Sequence, residues 1–345
     1  MRDRVKRYCL IGCGRVSPEH LRAARENSLE LAGLCDTDPQ SLAENLGREQ
    51  LDDVPVYEDY REMLRALKPE LVAIATPSGL HAQMALDCLE AGAHVIIEKP
   101  IAMNLADARA IQALAQRRGL TVCNNLQNRF NPAVRALRGA VEAGRFGRLY
   151  SASVQLRWHR GDDYYRSAAW RGTRALDGGA MMNQGIHSID LVNWMLGGRP
   201  KRVTAFAATM ARDIECEDLG MALVEYPDAL ASIECTTLRY PAAQELALEF
   251  SGELGAVRLG GTAGHVVETW RFAGAPADEE AVMRHLYCAN PESVYGHGHS
   301  LLYADVLRAI EENRPPLSDA EAGAGALGII LGAYESARTG RAVEL

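Results

Sequence analysis

Apolar and polar positions follow two different rhythms along this chain. Through the first third, short unbroken apolar runs at 5–11, 29–35, 71–75, 95–97 and 121–123 are separated by helix-length stretches at 17–27, 38–46, 81–91 and 105–118. An extended piece at 54–57 precedes a further helix ending near Leu67. Strands buried on both faces read as continuous apolar runs, because a parallel sheet covered by helices leaves neither face to water. The pattern predicts an α/β domain over 1–124 with a doubly wound parallel sheet, the Rossmann arrangement. Pro39 suits the first turn of its helix, where a missing N–H is not needed.

After about residue 125 the rhythm changes. A helix over 132–143 is followed by a strand at 149–158, an arginine- and aromatic-rich loop, and a helix near 186–196. From 202 to 267 come repeated strand-length runs punctuated by Pro227-Asp228, Tyr240-Pro241 and Gly252-Glu253, which reads as a largely antiparallel sheet. Two helices, near 300–312 and 319–337, are split by Pro315-Pro316. The second domain, 125–345, is therefore expected to be α+β with a large, open, mostly antiparallel sheet, its closing helices able to return to the first domain.

Composition narrows the setting. The chain has 345 residues, 48% hydrophobic and 24% charged, the balance of a two-domain globular protein. A net charge of −8 argues against nucleic acid as a partner, though an anionic small molecule needs only a local group of arginines. The 8 cysteines form no C-x-x-C pair and several sit inside apolar runs, as buried free thiols do in a reducing compartment. No apolar run approaches the about 18 residues of a membrane span, and the apolar run after the basic N-terminus is too short for a signal peptide. A cytoplasmic enzyme without membrane contact is expected.

The first candidate chemistry lies at Gly12-Cys13-Gly14-Arg15-Val16-Ser17, between a strand and a helix. Gly12 permits a tight turn, and Gly14 lets the backbone approach a pyrophosphate at the helix N-terminus. Ser17 stands where the fingerprint has its third glycine. Asp36 ends the second strand, about 20 residues further on, where a carboxylate accepts from the adenosine ribose hydroxyls and repels a 2′-phosphate. NAD rather than NADP follows. Thr76-Pro77-Ser78 and Glu98-Lys99-Pro100 end two further strands, at the edge where ligands of such sheets collect. A lysine is by default a solvated surface residue; Lys99 stands out because it sits at a strand mouth before a proline that ends the strand.

In the second domain a glycine-rich approach, Asp177-Gly178-Gly179, leads to Asn183, Gln184 and His187. Asn183 and His187 are spaced to share a helix face, with Asp190 and Trp194 near it. Oxidising a secondary alcohol needs a group to take the hydroxyl proton as hydride leaves carbon; histidine suits this near neutral pH, and a lysine ammonium stabilises the developing alkoxide. The residues leave open which of Lys99 and His187 is formally the base. Arg157, Arg160, Arg166, Arg171 and Arg174 are interleaved with Trp158, His159, Tyr164, Tyr165 and Trp170, a composition that serves either an anionic, stackable substrate or a subunit contact. His297 and His299 flank a glycine with no third ligand in view, so no metal is expected.

Taken together, these pieces resemble the glucose–fructose oxidoreductase / inositol dehydrogenase family over essentially the whole chain. Within it, Tyr164-Tyr165, Trp170 to Thr173, Gly178 to Gln184 and Ser293 to His299 look like the bacterial UDP-N-acetylglucosaminuronate 3-dehydrogenases of surface-polysaccharide (O-antigen) synthesis. Many family members carry Asp where this chain has Asn183; that group uses Asn. The resemblance implies NAD-dependent oxidation of the sugar C3 hydroxyl to a 3-keto product for a pyridoxal-phosphate aminotransferase. It implies Lys99 and His187 as the catalytic pair. For NAD it implies Gly12, Gly14, Arg15, Val16, Asp36, Thr76, Pro77, Ser78, His81, Glu98, Lys99, Gln127, Trp170 and Arg171. For the UDP-sugar uronate it implies Lys99, Asn128, Arg129, Arg160, Tyr165, Arg166, Asn183, Gln184, His187 and Tyr295. It also implies a homo-oligomer, a tetramer, and in some members a bound cofactor regenerated by a 2-oxo acid such as 2-oxoglutarate. Two rivals stand beside this reading: a dehydrogenase or ketoreductase of the same family with another sugar or nucleotide-sugar substrate, and a sensor that binds sugar or NAD without turnover.

Overall fold

The computed structural model describes residues 5–49, 51, 53–288, 295, 296 and 298–345. Ser293, Val294 and His297, quoted above, lie outside them. The chain opens with β1 (Arg7–Ile11), α1 (Ser17–Glu26), β2 (Glu30–Cys35), α2 (Pro39–Glu49), β3 (Val56–Tyr57), α3 (Tyr60–Leu67), β4 (Leu71–Ile74), α4 (His81–Glu90), β5 (His94–Ile97), α5 (Leu105–Arg118) and β6 (Val122–Asn124). There follow α6 (Pro132–Glu142), β7 (Leu149–Trp158), α7 (Asp162–Arg166), α8 (Ile186–Met195), β8 (Arg202–Ala208), β9 (Leu219–Glu225), β10 (Leu230–Thr236), β11 (Gln244–Gly252), β12 (Gly255–Gly260) and β13 (Val266–Phe272). The chain closes with α9 (Glu279–Leu286), α10 (Gly298–Glu312), α11 (Ala320–Thr339) and β14 (Val343–Glu344).

Two compact units result, Met1–Gln127 with His297–Ala324, and Asn128–Gly296 with Gly325–Leu345. Where the sequence divides the chain once, at 124/125, the first unit also takes in α10 and the first turn of α11. Its parallel sheet has the order β3-β2-β1-β4-β5-β6. The run that predicted each strand is what the sheet buries: Leu10, Leu71, Ile74 and Ile96 are wholly enclosed, each contributing roughly 1.5–3 kcal/mol of burial. Local chemistry sets the helix ends. Asn104 accepts from the Asp107 N–H at 2.9 Å to start α5, and Gly119, at φ 64°, ends it.

The second unit is built on a sheet of order β13-β12-β11-β7-β10-β9-β8-β14, antiparallel throughout except where β7 meets β10. Strict alternation along β8, β9 and β10 buries Val203, Ala205, Ala222, Val224, Ala231 and Ile233 on one face. Gly332 of α11 allows that helix close in: a Cβ there would lie 3.0 Å from Val203 Cγ1. The opposite face exposes Phe206, Leu223 and Leu230 at 78, 65 and 64%. Among the described residues no helix is long and apolar enough to cross a membrane. The cysteines are free; Cys288 is exposed and the rest are buried.

Candidate active site

The glycine-rich turn is held from three sides. Gly12 has φ +96°, and a Cβ on it would lie 2.5 Å from the Ala75 backbone, so only glycine fits. A Cβ on Gly14 would stand in open space, which leaves room for a ligand at the start of α1. Ser17 is more than a small stand-in for glycine: its single hydroxyl hydrogen is shared between Gly14 O at 2.6 Å and Asn45 Oδ1 at 2.9 Å, while Asn45 Nδ2 donates to Cys13 O at 2.7 Å. Asn45, within α2, gave no sign of this in sequence. Asp36 accepts from the Cys13 N–H at 2.6 Å and the Asp38 N–H at 2.9 Å, which fixes its carboxylate beside the turn. Arg15 is exposed and Val16 half-buried. A carboxylate so placed meets a 2′-phosphate with repulsion, so kcat/KM with NAD is expected to exceed that with NADP by at least about tenfold, with Asp36→Ser narrowing the gap. Equal efficiency with both cofactors in the unaltered protein would contradict this.

At the mouths of β4 and β5, half-buried Lys99 lies between two well-fixed neighbours. His81 is buried, with Nδ1 2.7 Å from Pro100 O and Nε2 2.9 Å from Thr76 O. Burial pushes its pKa down, while the two carbonyls, which only accept, favour the ring that carries both protons. Glu98 turns inward as well. Its Oε1 lies 3.1 Å from His20 Nε2 and against Asn125 Nδ2, and its Oε2 accepts from the Lys99 N–H at 3.2 Å. Burial alone would push this carboxyl up, yet the hydrogen bond from His20 and the neighbouring His299 ring hold it well below the usual range. His20 Nδ1 in turn meets Tyr303 OH at 2.7 Å, and Tyr303 meets Tyr8 OH at 3.0 Å. The sequence offered His299 no third ligand; the fold brings His20 and Glu98 to it, with donor atoms within 4.8 Å of one another. Asn125 Nδ2 already lies 2.8 Å from His299 Nε2 and against Glu98 Oε1, so hydrogen bonds account for the cluster.

Glu98 and His81 were expected to touch the cofactor. Both side chains are buried, and the Glu98 carboxylate and both His81 ring nitrogens have hydrogen-bond partners within the protein. Thr76 and Pro77 are half-buried and Ser78 buried. Gln127 is enclosed, with Gly298 so close that a Cβ there would lie 2.8 Å from Gln127 O.

In the second unit the glycine-rich approach leads into a π-helical segment, Ala180–Gly185, that continues into α8. Half-buried Asn183 and His187 fall on this continuous stretch, and Gln184 is buried. Asn183 donates through Nδ2 to buried Asp177, whose other oxygen accepts from the Gly172 N–H at 2.6 Å. A carboxylate therefore stands one step behind the amide. The segment's start is pinned by Glu217, which accepts from the Met181 N–H at 2.9 Å and from Tyr334 OH at 3.0 Å. Burial pushes the Glu217 carboxyl from 4.5 up to about 7. An unfolded chain releases this proton first, so stability should fall as pH rises from about 4.5 to about 7. Glu217→Gln is expected to remove that fall and to be more stable than the parent at pH 8 by up to about 3 kcal/mol, with little difference at pH 4. Urea titrations at both pH values check it; parallel pH dependence of the two proteins would contradict it.

Buried Arg129 and Asp190 form a group with half-buried Trp194. The Arg129 guanidinium bonds Asp190 at 2.8 and 2.6 Å and lies 4.8 Å over the Trp194 ring, so this expected substrate residue is held inside the unit. Asn128 is also buried, and Tyr295 half-buried.

The arginine-rich loop separates into two kinds of cation. Arg157 forms a two-bond pair with Glu234 at 2.7 Å, exposed Arg166 pairs with Asp163 at 3.1 Å, and Arg174 Nε donates to Glu215 O at 3.1 Å. Arg160 and Arg171 instead stack on rings. Arg160 lies 5.0 Å over Trp158 and 4.8 Å over Tyr164; Arg171 lies 4.4 Å over Tyr164 and 4.6 Å over Trp170. Arg171 also donates to Tyr164 OH at 2.8 Å and to Ser167 Oγ at 3.1 Å, and among the described residues it has no carboxylate partner. Tyr165 meets Thr237 Oγ1 at 3.1 Å. Two guanidiniums around one tyrosine make an electropositive, aromatic surface of the sort that holds phosphates and bases.

Residues 6–126 match the oxidoreductase family with an NAD-binding Rossmann fold, and residues 134–258 match the GFO/IDH/MocA C-terminal domain. The WlbA dehydrogenase of Bordetella pertussis, solved with NADH and UDP-GlcNAcA, is 35% identical with a TM-score of 0.92, over 100% of this chain and 99% of that one. This chain belongs to the GFO/IDH/MocA family. A second WlbA structure, from Chromobacterium violaceum with the same two ligands, is also 35% identical, with a TM-score of 0.90 over 100% of this chain and 97% of that one. Escherichia coli D-glucoside 3-dehydrogenase is 27% identical, over 98% of this chain and 97% of its own length. This GFO/IDH/MocA protein is accordingly an NAD-dependent sugar oxidoreductase, and the turn at Gly12–Ser17 with Asp36 fits NAD in shape and in donor set.

Proposed function

We propose that this oxidoreductase oxidises the C3 hydroxyl of UDP-N-acetylglucosaminuronate to the 3-keto sugar. The observation that carries the reading is the stack of Arg160 on Trp158 and Tyr164, because a diphosphate, a carboxylate and a uracil call for forked cations beside aromatic faces. The whole-chain likeness to two WlbA dehydrogenases bearing UDP-GlcNAcA supports it.

NAD, when bound, accepts the hydride. His187 takes the proton of the C3 hydroxyl, and the Lys99 ammonium stabilises the alkoxide as it forms. Asn183, held through its amide nitrogen by Asp177, is assigned to a sugar hydroxyl. Gln184, Asn128, Tyr165, Tyr295, Arg160 and Arg166 complete the substrate set, with Trp170 and Arg171 assigned to the cofactor. Arg129 serves by holding α8 through Asp190. The setting that fits this reading is the cytoplasmic synthesis of surface-polysaccharide sugars.

Binding of UDP-N-acetylglucosaminuronate and of uncharged UDP-N-acetylglucosamine to the NAD-loaded protein tests the substrate class. The uronate should bind at least about tenfold more tightly, the scale of one charged hydrogen bond. Equal affinities would place the protein with the sugar dehydrogenases that do not read a carboxylate. The apolar outer face of β8–β10 supports a homo-oligomer. Sedimentation of the intact chain is expected to give a tetramer mass, and a monomer would contradict this.

A further inference from the structure

The backbone around Lys99 leaves the sheet at a defined point. Glu98 N–H donates to Ile74 O at 2.9 Å, the last sheet-like bond of β5. Beyond it, the polar groups of the turn need new partners, since buried backbone groups are not left unpaired. Buried side chains supply them. Asn124 Nδ2 donates to Glu98 O at 3.2 Å, and also to Ile97 O, which already accepts from the Asn125 N–H at 2.7 Å; Glu98 Oε2 accepts from the Lys99 N–H at 3.2 Å; His81 Nδ1 holds Pro100 O at 2.7 Å. His81 ties the same turn to the end of β4 through Thr76 O.

Glu98 is itself oriented by a directional chain. A carboxylate only accepts, so His20 presents Nε2–H to it; in the neutral ring Nδ1 then accepts from Tyr303, whose oxygen is left to accept from Tyr8. Each donor points toward Glu98. Enclosing a carboxylate is costly unless it is well hydrogen-bonded, and the bonds from His20, Asn125 and the Lys99 N–H meet that cost.

We propose that Glu98 and His81 are positioning residues that clamp the Lys99 backbone from its two sides, and that neither touches NAD. The proposal rests on the reading of Lys99 as catalytic. It predicts a loss in kcat without a loss in cofactor binding, because a displaced reacting group slows turnover while binding elsewhere persists.

The test compares Glu98→Ala, His81→Phe and the milder Glu98→Gln and His81→Gln, each with Lys99 intact and with Lys99→Ala. Readouts are kcat, Kd for NAD, and amide hydrogen exchange of the segment 97–101. Glu98→Ala and His81→Phe should lower kcat at least about tenfold, keep Kd for NAD within about threefold, and speed exchange in the segment. The glutamine variants should recover most of the rate. Should the harsher variants not fold, the glutamine pair carries the same comparison at smaller amplitude. In the Lys99→Ala background, the added loss should shrink to less than about threefold.

The clamp is overturned by unchanged exchange in the segment, or by a Kd for NAD raised about tenfold with kcat intact at saturation. Faster exchange with unchanged kcat also overturns it, since position would then not matter. Failure of the catalytic reading appears separately, as wild-type turnover by Lys99→Ala alone.

Discussion

Lys99→Ala and His187→Ala each lower kcat at least about a hundredfold, while the affinity for NAD is retained; this is the usual scale for removing an acid–base group or a charge-stabilising group. The alcohol proton and the hydride leave together, so a site without a base at the hydroxyl, or without a cation near the forming alkoxide, faces a higher barrier. Neither group belongs to the glycine-rich turn, whose bonds run through Cys13, Gly14, Ser17, Asp36 and Asn45. Cofactor affinity is therefore expected to survive. Steady-state kinetics with a fluorescence titration of NADH checks both halves. Near-normal kcat in either variant removes that residue from the chemistry. The double variant should be little worse than the poorer single one, because the two residues serve one transition state.

Arg160→Ala and Arg171→Ala each lower kcat/KM by about tenfold to a hundredfold, the loss of one charged hydrogen bond of roughly 1.5–3 kcal/mol. The loss should fall on KM, since a contact to a phosphate or carboxylate forms alike in ground and transition states. Arg160→Ala is expected to raise KM for the sugar nucleotide and Arg171→Ala to raise KM for NAD. Arg157 provides the control: its fork is engaged by Glu234 across β7 and β10, so Arg157→Ala should act on stability, with KM for both ligands kept. If Arg160→Ala and Arg171→Ala leave both KM values unchanged, the stacked loop is a structural feature and the nucleotide-sugar reading loses its main support in this chain.

Much of the frame was legible because its signals are local. Each inner strand of the first unit is an unbroken apolar run, and each run was found where the sheet has a strand. Alternation gave β8 to β10 for the same reason: one face is buried and the other is not. Short elements escaped. The five residues of α7 and the π-helical segment before α8 have no period long enough to read, and α9 carries an exposed, highly charged sequence. The site was legible where chemistry follows a short motif, as at Gly12–Ser17 with Asp36 and at Glu98-Lys99-Pro100. It was not legible where the fold gathers distant positions. His20, Asn125 and His299 converge on Glu98 from α1, the connection after β6 and α10, with Tyr303 of α10 behind His20, and no spacing announces them. Asp177 behind Asn183 is nearer in sequence, yet only the turn at Gly178–Gly179 brings its carboxylate to the amide.

The central claim concerns one bond, the C3–H of a nucleotide sugar uronate. Incubating the protein with NAD and UDP-N-acetylglucosaminuronate deuterated at C3 tests it most directly, with the nicotinamide and the sugar both read by mass spectrometry. Transfer of deuterium to the nicotinamide, together with a 3-keto sugar nucleotide, is the result this account predicts. Turnover that leaves the deuterium on the sugar, or no turnover of the uronate under conditions where the protein oxidises an uncharged sugar, would contradict it.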